Sequence, residues 1–210
     1  MNGRTGVRRW RMMGALALAM PVLAFNVPAP ALAQFSDSYK FLEAVRKKDG
    51  ETVVKYVEAP GTTLINARDR GTGETALLIT IARKDVTWMS YLLGRGARTD
   101  IAANNGRFPL MLAVETRFVE GVDLLLANGA NVNQANSSGE TALIRAVQLK
   151  DLGLVRRLVA KGANPDKHDS LAGMSARDYA KRDARDTGIL EALAAAKPAT
   201  PAKPVQGPVF

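Results

Sequence analysis

Three short segments constrain this chain more than anything else in it. Gly73-Glu74-Thr75-Ala76-Leu77, Gly106-Arg107-Phe108-Pro109-Leu110 and Gly139-Glu140-Thr141-Ala142-Leu143 follow one another at a constant step of 33 residues. A second series, Gly96-Ala97, Gly129-Ala130 and Gly162-Ala163, keeps the same step. So does a third, Leu92, Leu125 and Leu158, each preceded three residues earlier by Met89, Val122 or Val155. A weaker fourth copy opens at Gly173-Met174-Ser175-Ala176, one residue late. A fixed period of this length means stacked supersecondary units, none of which can bury its own apolar face alone. It also directs function towards binding along an extended surface.

Residues 133–165 show how one unit is built. Gly139 permits a turn, and the Thr141 hydroxyl can accept from free amides at the start of a helix. Leu143, Ile144, Ala146 and Val147 then recur at helical spacing, with Arg145 and Gln148 left facing outward. A second helix follows Asp151, with Leu154, Val155, Leu158 and Val159 on one face, and Gly162 closes it as a C-terminal capping glycine. Asn164, Pro165 and Asp166 lead into the next turn.

These features resemble the ankyrin-repeat family, from about Ser36 to Ala196. The family's Thr-Pro-Leu-His tetrad stands here as Thr75-Ala76-Leu77-Leu78, Phe108-Pro109-Leu110-Met111 and Thr141-Ala142-Leu143-Ile144. Its histidine is replaced throughout, so the repeats are expected to lean more on apolar contact. Its inter-helix glycine is replaced by Lys84, Arg117 and Lys150. The resemblance implies an all-α solenoid of helix-turn-helix units joined by β-turn or hairpin fingers. The expected domain is 34–196, with an N-terminal cap at 36–66, repeats at about 67–99, 100–132 and 133–165, and a C-terminal cap at 166–196. The N-terminal cap reads as a helix pair over Tyr39 to Val57, and the last helix as Ile189 to Ala196. Arg68-Asp69-Arg70-Gly71-Thr72 reads as a longer first finger.

The ends of the chain read differently. Arg4, Arg8, Arg9 and Arg11 precede an apolar run from Met12 to Phe25, and Ala31-Leu32-Ala33 offers a small-residue cleavage site. Residues 1–33 are therefore expected to be a bacterial secretory signal peptide, the mature chain starting at Gln34 in the periplasm. The run is short for a membrane span and broken by Pro21, so no stable insertion is expected after cleavage. Arg8-Arg9 fits the twin-arginine pattern only in part, which favours the ordinary secretory route. Residues 197–210, rich in Ala, Pro and Lys, are expected to form an extended tail.

Net charge is +9 for the whole chain but only +5 after the signal and +3 for the domain without its tail. So near a balance does not suit a phosphate-binding stripe. The chain has no cysteine, which removes disulfides, thiol catalysis and thiolate metal sites. The single histidine, His168, lies in Asp166-Lys167-His168-Asp169, and a metal or small-molecule site on this turn is the alternative reading. One imidazole and two turn carboxylates make a poor zinc site. Ser137-Ser138-Gly139 lacks a nucleophile elbow, Gly94-Arg95-Gly96 closes a helix rather than cradling phosphate, and Asp183 and Asp186 read as a solvated pair. No catalytic residue, cofactor or metal is expected.

What escapes the repeat is a strip on the fingers and first helices. Its candidate partner-binding residues are Arg68, Glu74, Arg83, Ile101, Arg107, Glu115, Thr116, Gln134, Glu140, Gln148, Leu149 and Lys167. Mixed signs and small apolar groups suit a protein partner better than a polyanion. The reading is an exported, monomeric chain that binds another protein along its concave face. Resemblance to exported bacterial ankyrin proteins implies a supporting role for a periplasmic or envelope protein. A basic ladder at Lys48, Lys84, Arg117 and Lys150 is the feature that would instead favour an anionic surface.

Overall fold

The computed structural model describes residues 29–182 and 187–196, with side chains from 37 onward except Thr187. Most of the expected signal peptide, the tail 197–210, and Asp183 and Asp186 lie outside the described residues. Within them the chain forms five helix pairs: α1 (Ala29–Lys47) and α2 (Gly50–Glu58), α3 (Ala76–Ala82) and α4 (Val86–Gly94), α5 (Pro109–Glu115) and α6 (Val119–Ala127), α7 (Ala142–Gln148) and α8 (Leu152–Ala160), α9 (Ala176–Arg182) and α10 (Thr187–Ala194). It is an all-α repeat fold. The first helices α1, α3, α5, α7 and α9 pack in series, and α4 lies against α6 and α8 against α10 behind them.

The helix starts follow from capping chemistry. Thr75 and Thr141 accept from the amides of Leu78 and Ile144, and Asp49, Asp85 and Asp151 do the same for Thr52, Trp88 and Leu154. Each such cap contributes about 1 kcal/mol. The middle pair breaks the pattern, since Phe108 and Phe118 occupy both cap positions without a side-chain bond. Both rings are buried instead, and Pro109 removes one amide that would need a partner. Gly121 makes room for Phe118, because a Cβ there would lie 2.3 Å from the ring.

One basic residue closes each of α1, α3, α5 and α7 in the left-handed region: Lys48 at φ 60°, Lys84 at 55°, Arg117 at 52° and Lys150 at 54°. The bonding around each is the same. Lys84 N–H donates to Ile81 C=O and Asp85 N–H to Thr80 C=O, and the other three turns repeat that pair. This is the double bond of a glycine-closed helix end, kept although glycine is gone. A side chain in this region costs roughly 1–2 kcal/mol, which the packing of two helices around the turn must offset.

The core is one continuous run of the periodic residues, with Met89, Leu92, Val122, Leu125, Val155 and Leu158 all buried. Trp88 packs on α2, where a Cβ on Gly50 would approach its ring to 2.9 Å, and meets Tyr91 edge-on at 5.4 Å. It covers a helix end. Fingers between pairs are held by isolated bridges, Arg68 with Thr75, Ala135 with Thr141 and His168 with Ser175.

Two expectations about the ends need correction. The first helix starts at Ala29, not Tyr39, because Pro30 sits in a first turn that tolerates it and Ala, Leu and Gln follow. The last helix is Thr187–Ala194 rather than Ile189–Ala196.

Candidate functional site

The fingers and first helices share one face, and its charged side chains form two groups. In the first, Arg46 Nη2 donates to Asp69 Oδ2 at 2.8 Å, with Glu74 Oε2 at 3.7 Å and Glu43 within 3.5 Å of Nη1. Burial alone would lower the Arg46 pKa, but the bond to Asp69 and the charges of Asp69, Glu74 and Glu43 hold it above the usual value. Asp69 also accepts from the amides of Gly71 and Thr72, and the Thr72 amide and Arg46 together bring its pKa down to about 2. The longer first finger is therefore wound around one carboxylate. In the second group Arg145 lies between Glu140 at 3.0 Å and Glu115 at 3.6 Å, and Arg107 meets Glu115 at 3.4 Å.

Other residues of the candidate strip tie one unit to the next. Arg68 Nη2 donates to Ala102 C=O at 2.9 Å, Gln134 Nε2 to Asp100 C=O at 3.3 Å and Lys167 Nζ to Asn133 C=O at 2.9 Å. All three reach a neighbouring finger. Arg83 Nη1 donates to Val45 C=O at 2.6 Å and Arg46 C=O at 3.0 Å, closing the end of α1. Asn66 and Asn133 receive the Arg98 and Asn164 amides and donate to Gly96 and Gly162. Stacking was expected to lean on apolar contact once the tetrad histidine was lost. Hydrogen bonds across repeats persist, supplied by arginine, asparagine and lysine.

These ties join units of the same 33-residue period that sequence comparison detects. The family described as ankyrin repeats (3 copies) matches residues 41–136 and, in an overlapping placement, 103–169. The chain belongs to the ankyrin-repeat family. Ankyrin repeats generally mediate protein–protein interaction and are typically scaffolds rather than catalysts. No curated protein matches the chain. No helix among the described residues is long and apolar enough to cross a membrane.

In this ankyrin-repeat chain the strip thus divides. Arg68, Arg83, Gln134 and Lys167, read as partner-binding candidates, also donate to neighbouring units. Thr116 turns its hydroxyl back to Leu112 C=O at 2.9 Å. Glu140 is nearly covered by Arg145, and Glu74 accepts from Thr72. Ile101 and Leu149 are half-buried. Gln148, Arg107 and Arg68 are exposed to solvent, with Glu115 between Arg107 and Arg145.

Sequence reading placed Arg145 outward and did not name Arg46. Arg145 is half-buried and central to its group, which only the position of Glu115 one repeat earlier could have signalled. The His168 turn does not gather its carboxylates. Asp169 is buried and accepts from Tyr179 Oη at 2.5 Å and from the Ala172 and Gly173 amides, while Asp166 pairs with Arg177 at 2.8 Å. His168 faces Asp178 at 3.7 Å. Among the described residues no group of three metal-binding side chains converges.

Of two grooves among the described residues, only the first adjoins the strip. One of about 370 Å³ lies between α1 and the first finger, lined by Tyr39, Leu42, Arg68 and Asp69. Another, of about 600 Å³, opens between α8 and α10, away from the charged groups.

Proposed function

We propose that this ankyrin-repeat chain is exported, loses residues 1–33, and works as a monomeric periplasmic binding module for another protein. It serves as an accessory or scaffold for a periplasmic or envelope protein and carries out no chemistry of its own. The observation that carries this reading is the continuous face of fingers and first helices. There, Arg46 on α1, Arg107 before α5 and Arg145 on α7 each meet carboxylates, and Arg107 and Gln148 are exposed. Extended faces of this kind are what solenoids use for recognition. Export is supported by the basic, acid-free n-region and the Ala31-Leu32-Ala33 site. Cleavage there leaves Phe41, Leu42, Ala44 and Val45, the buried residues of α1 among those with described side chains, in the mature chain.

Intact mass of the protein from a periplasmic extract tests the export step. The expected species lacks residues 1–33; full mass in the membrane or cytoplasmic fraction would contradict it.

A further inference from the structure

The second ion group on the recognition face has an ordering that bears on the partner, whereas in the first Glu74 is more exposed than Arg46. In the second group the acids lie beneath the bases. The Glu140 side chain is 12% exposed against 33% for Arg145, and Glu115 is 22% exposed against 48% for Arg107. The carboxylates anchor the guanidinium groups from below, and what meets solvent is N–H. Neither contact to Glu115 is tight: 3.4 Å from Arg107 and 3.6 Å from Arg145. Charge-assisted N–H···O bonds close to about 2.7–2.9 Å when geometry allows. The exposed Arg107 fork therefore retains donor capacity towards solvent. Arg145 is 33% exposed, and its Nε, buried and without a hydrogen bond, adds nothing to that capacity.

Along the same face α7 meets α9. Exposed Gln148 interacts with the Tyr179 hydroxyl, and the Arg182 guanidinium lies 5.0 Å from the centre of the Tyr179 ring. The order from α5 to α9 is thus arginine, arginine, amide, aromatic ring, arginine. Arginine and tyrosine are the side chains that most often dominate protein interfaces, and a planar guanidinium pairs with carboxylate through two parallel bonds.

We infer that the protein partner presents an extended segment with spaced carboxylates, which lies across α5, α7 and α9 and pairs with Arg107 and Arg145. This rests on the protein-binding reading and gives that partner its chemistry. A nucleic acid fits less well. Its affinity comes from many unopposed cations, and here Arg107 and Arg145 stand over Glu115 and Glu140.

The test uses the mature protein and a fluorescein-labelled peptide of four Glu-Ser repeats, followed by anisotropy at physiological salt. Saturable binding is expected, with none for the matching Gln-Ser peptide. Arg107→Gln/Arg145→Gln should weaken binding at least about fivefold, as loss of two bidentate sites requires. Lys161→Gln, on the exposed end of α8, should leave it unchanged. Because Arg145 also braces Glu140, Gln148→Glu serves as a second variant that breaks no ion pair and should weaken binding by repulsion. Equal affinity for the Gln-Ser peptide, unchanged binding in both variants, or tighter binding of oligothymidylate would each overturn the inference. If the Glu-Ser peptide fails to bind while a protein crosslinks to Gln148, the carboxylate assignment falls and the protein-binding reading stands. Absence of any such crosslink sinks the latter.

Discussion

At the scale of single residues, the four left-handed basic turns are the clearest departure from what their residue types prefer. Lys84 adopts φ 55° inside a helix closure that glycine would adopt freely. Lys84→Gly should therefore raise stability by a net of about 0.5–1 kcal/mol, the relief of strain exceeding glycine's entropy loss. Thermal melting would show this as a rise of about 2–4 °C per kcal/mol; a fall would mean the turn is not strained. Asp69 gives a second residue-level case. Its pKa is about 2 in the fold against an ordinary 3.8, so it stabilises the fold above the ordinary value. That contribution disappears as pH falls from 3.8 towards about 2. Asp69→Asn should lower the melting temperature at neutral pH and lose less of it between pH 5 and pH 3 than wild type does.

At the scale of the element, what could be read ahead was what repeats. Thr75, Thr141 and the Leu92, Leu125, Leu158 series announce helix starts and buried faces because capping and burial are local demands. Contacts between neighbouring units were not legible. Arg83 looks like a free charge at a helix end, and only the fold brings Val45 and Arg46 carbonyls to it. The His168 turn, kept only as an alternative site, shows the same limit: Asp166, His168 and Asp169 are adjacent in sequence but reach three different partners. The Asp169–Tyr179 bond is the internal fastening of the C-terminal cap, pulling the Asp169 pKa down and the Tyr179 pKa up. Tyr179→Phe removes the donor and leaves a buried carboxylate less satisfied, a loss of about 1–3 kcal/mol. Hydrogen exchange should locate the effect, with amides of α9 and α10 losing protection before those of α5 to α8. Uniform loss along the chain would show that the cap does not open on its own.

At the scale of the whole molecule, the period lines up the fingers and first helices, where the proposed recognition face lies, with the second helices packed behind them. Several of the residues read from sequence as partner-binding candidates bond to neighbouring units. Arg68, Arg83 and Lys167 hold the units in line, and the open contacts gather around Arg107, Arg145 and Gln148. The central claim is that a protein partner lies on this face. It is tested most directly by placing a photocrosslinking amino acid at position 148, or at exposed Arg156 on α8 as the contrasting site, and irradiating cells that express the full-length chain. The account predicts a discrete heavier adduct from position 148 and none from position 156. An adduct from position 156 alone, or from neither position, would contradict it.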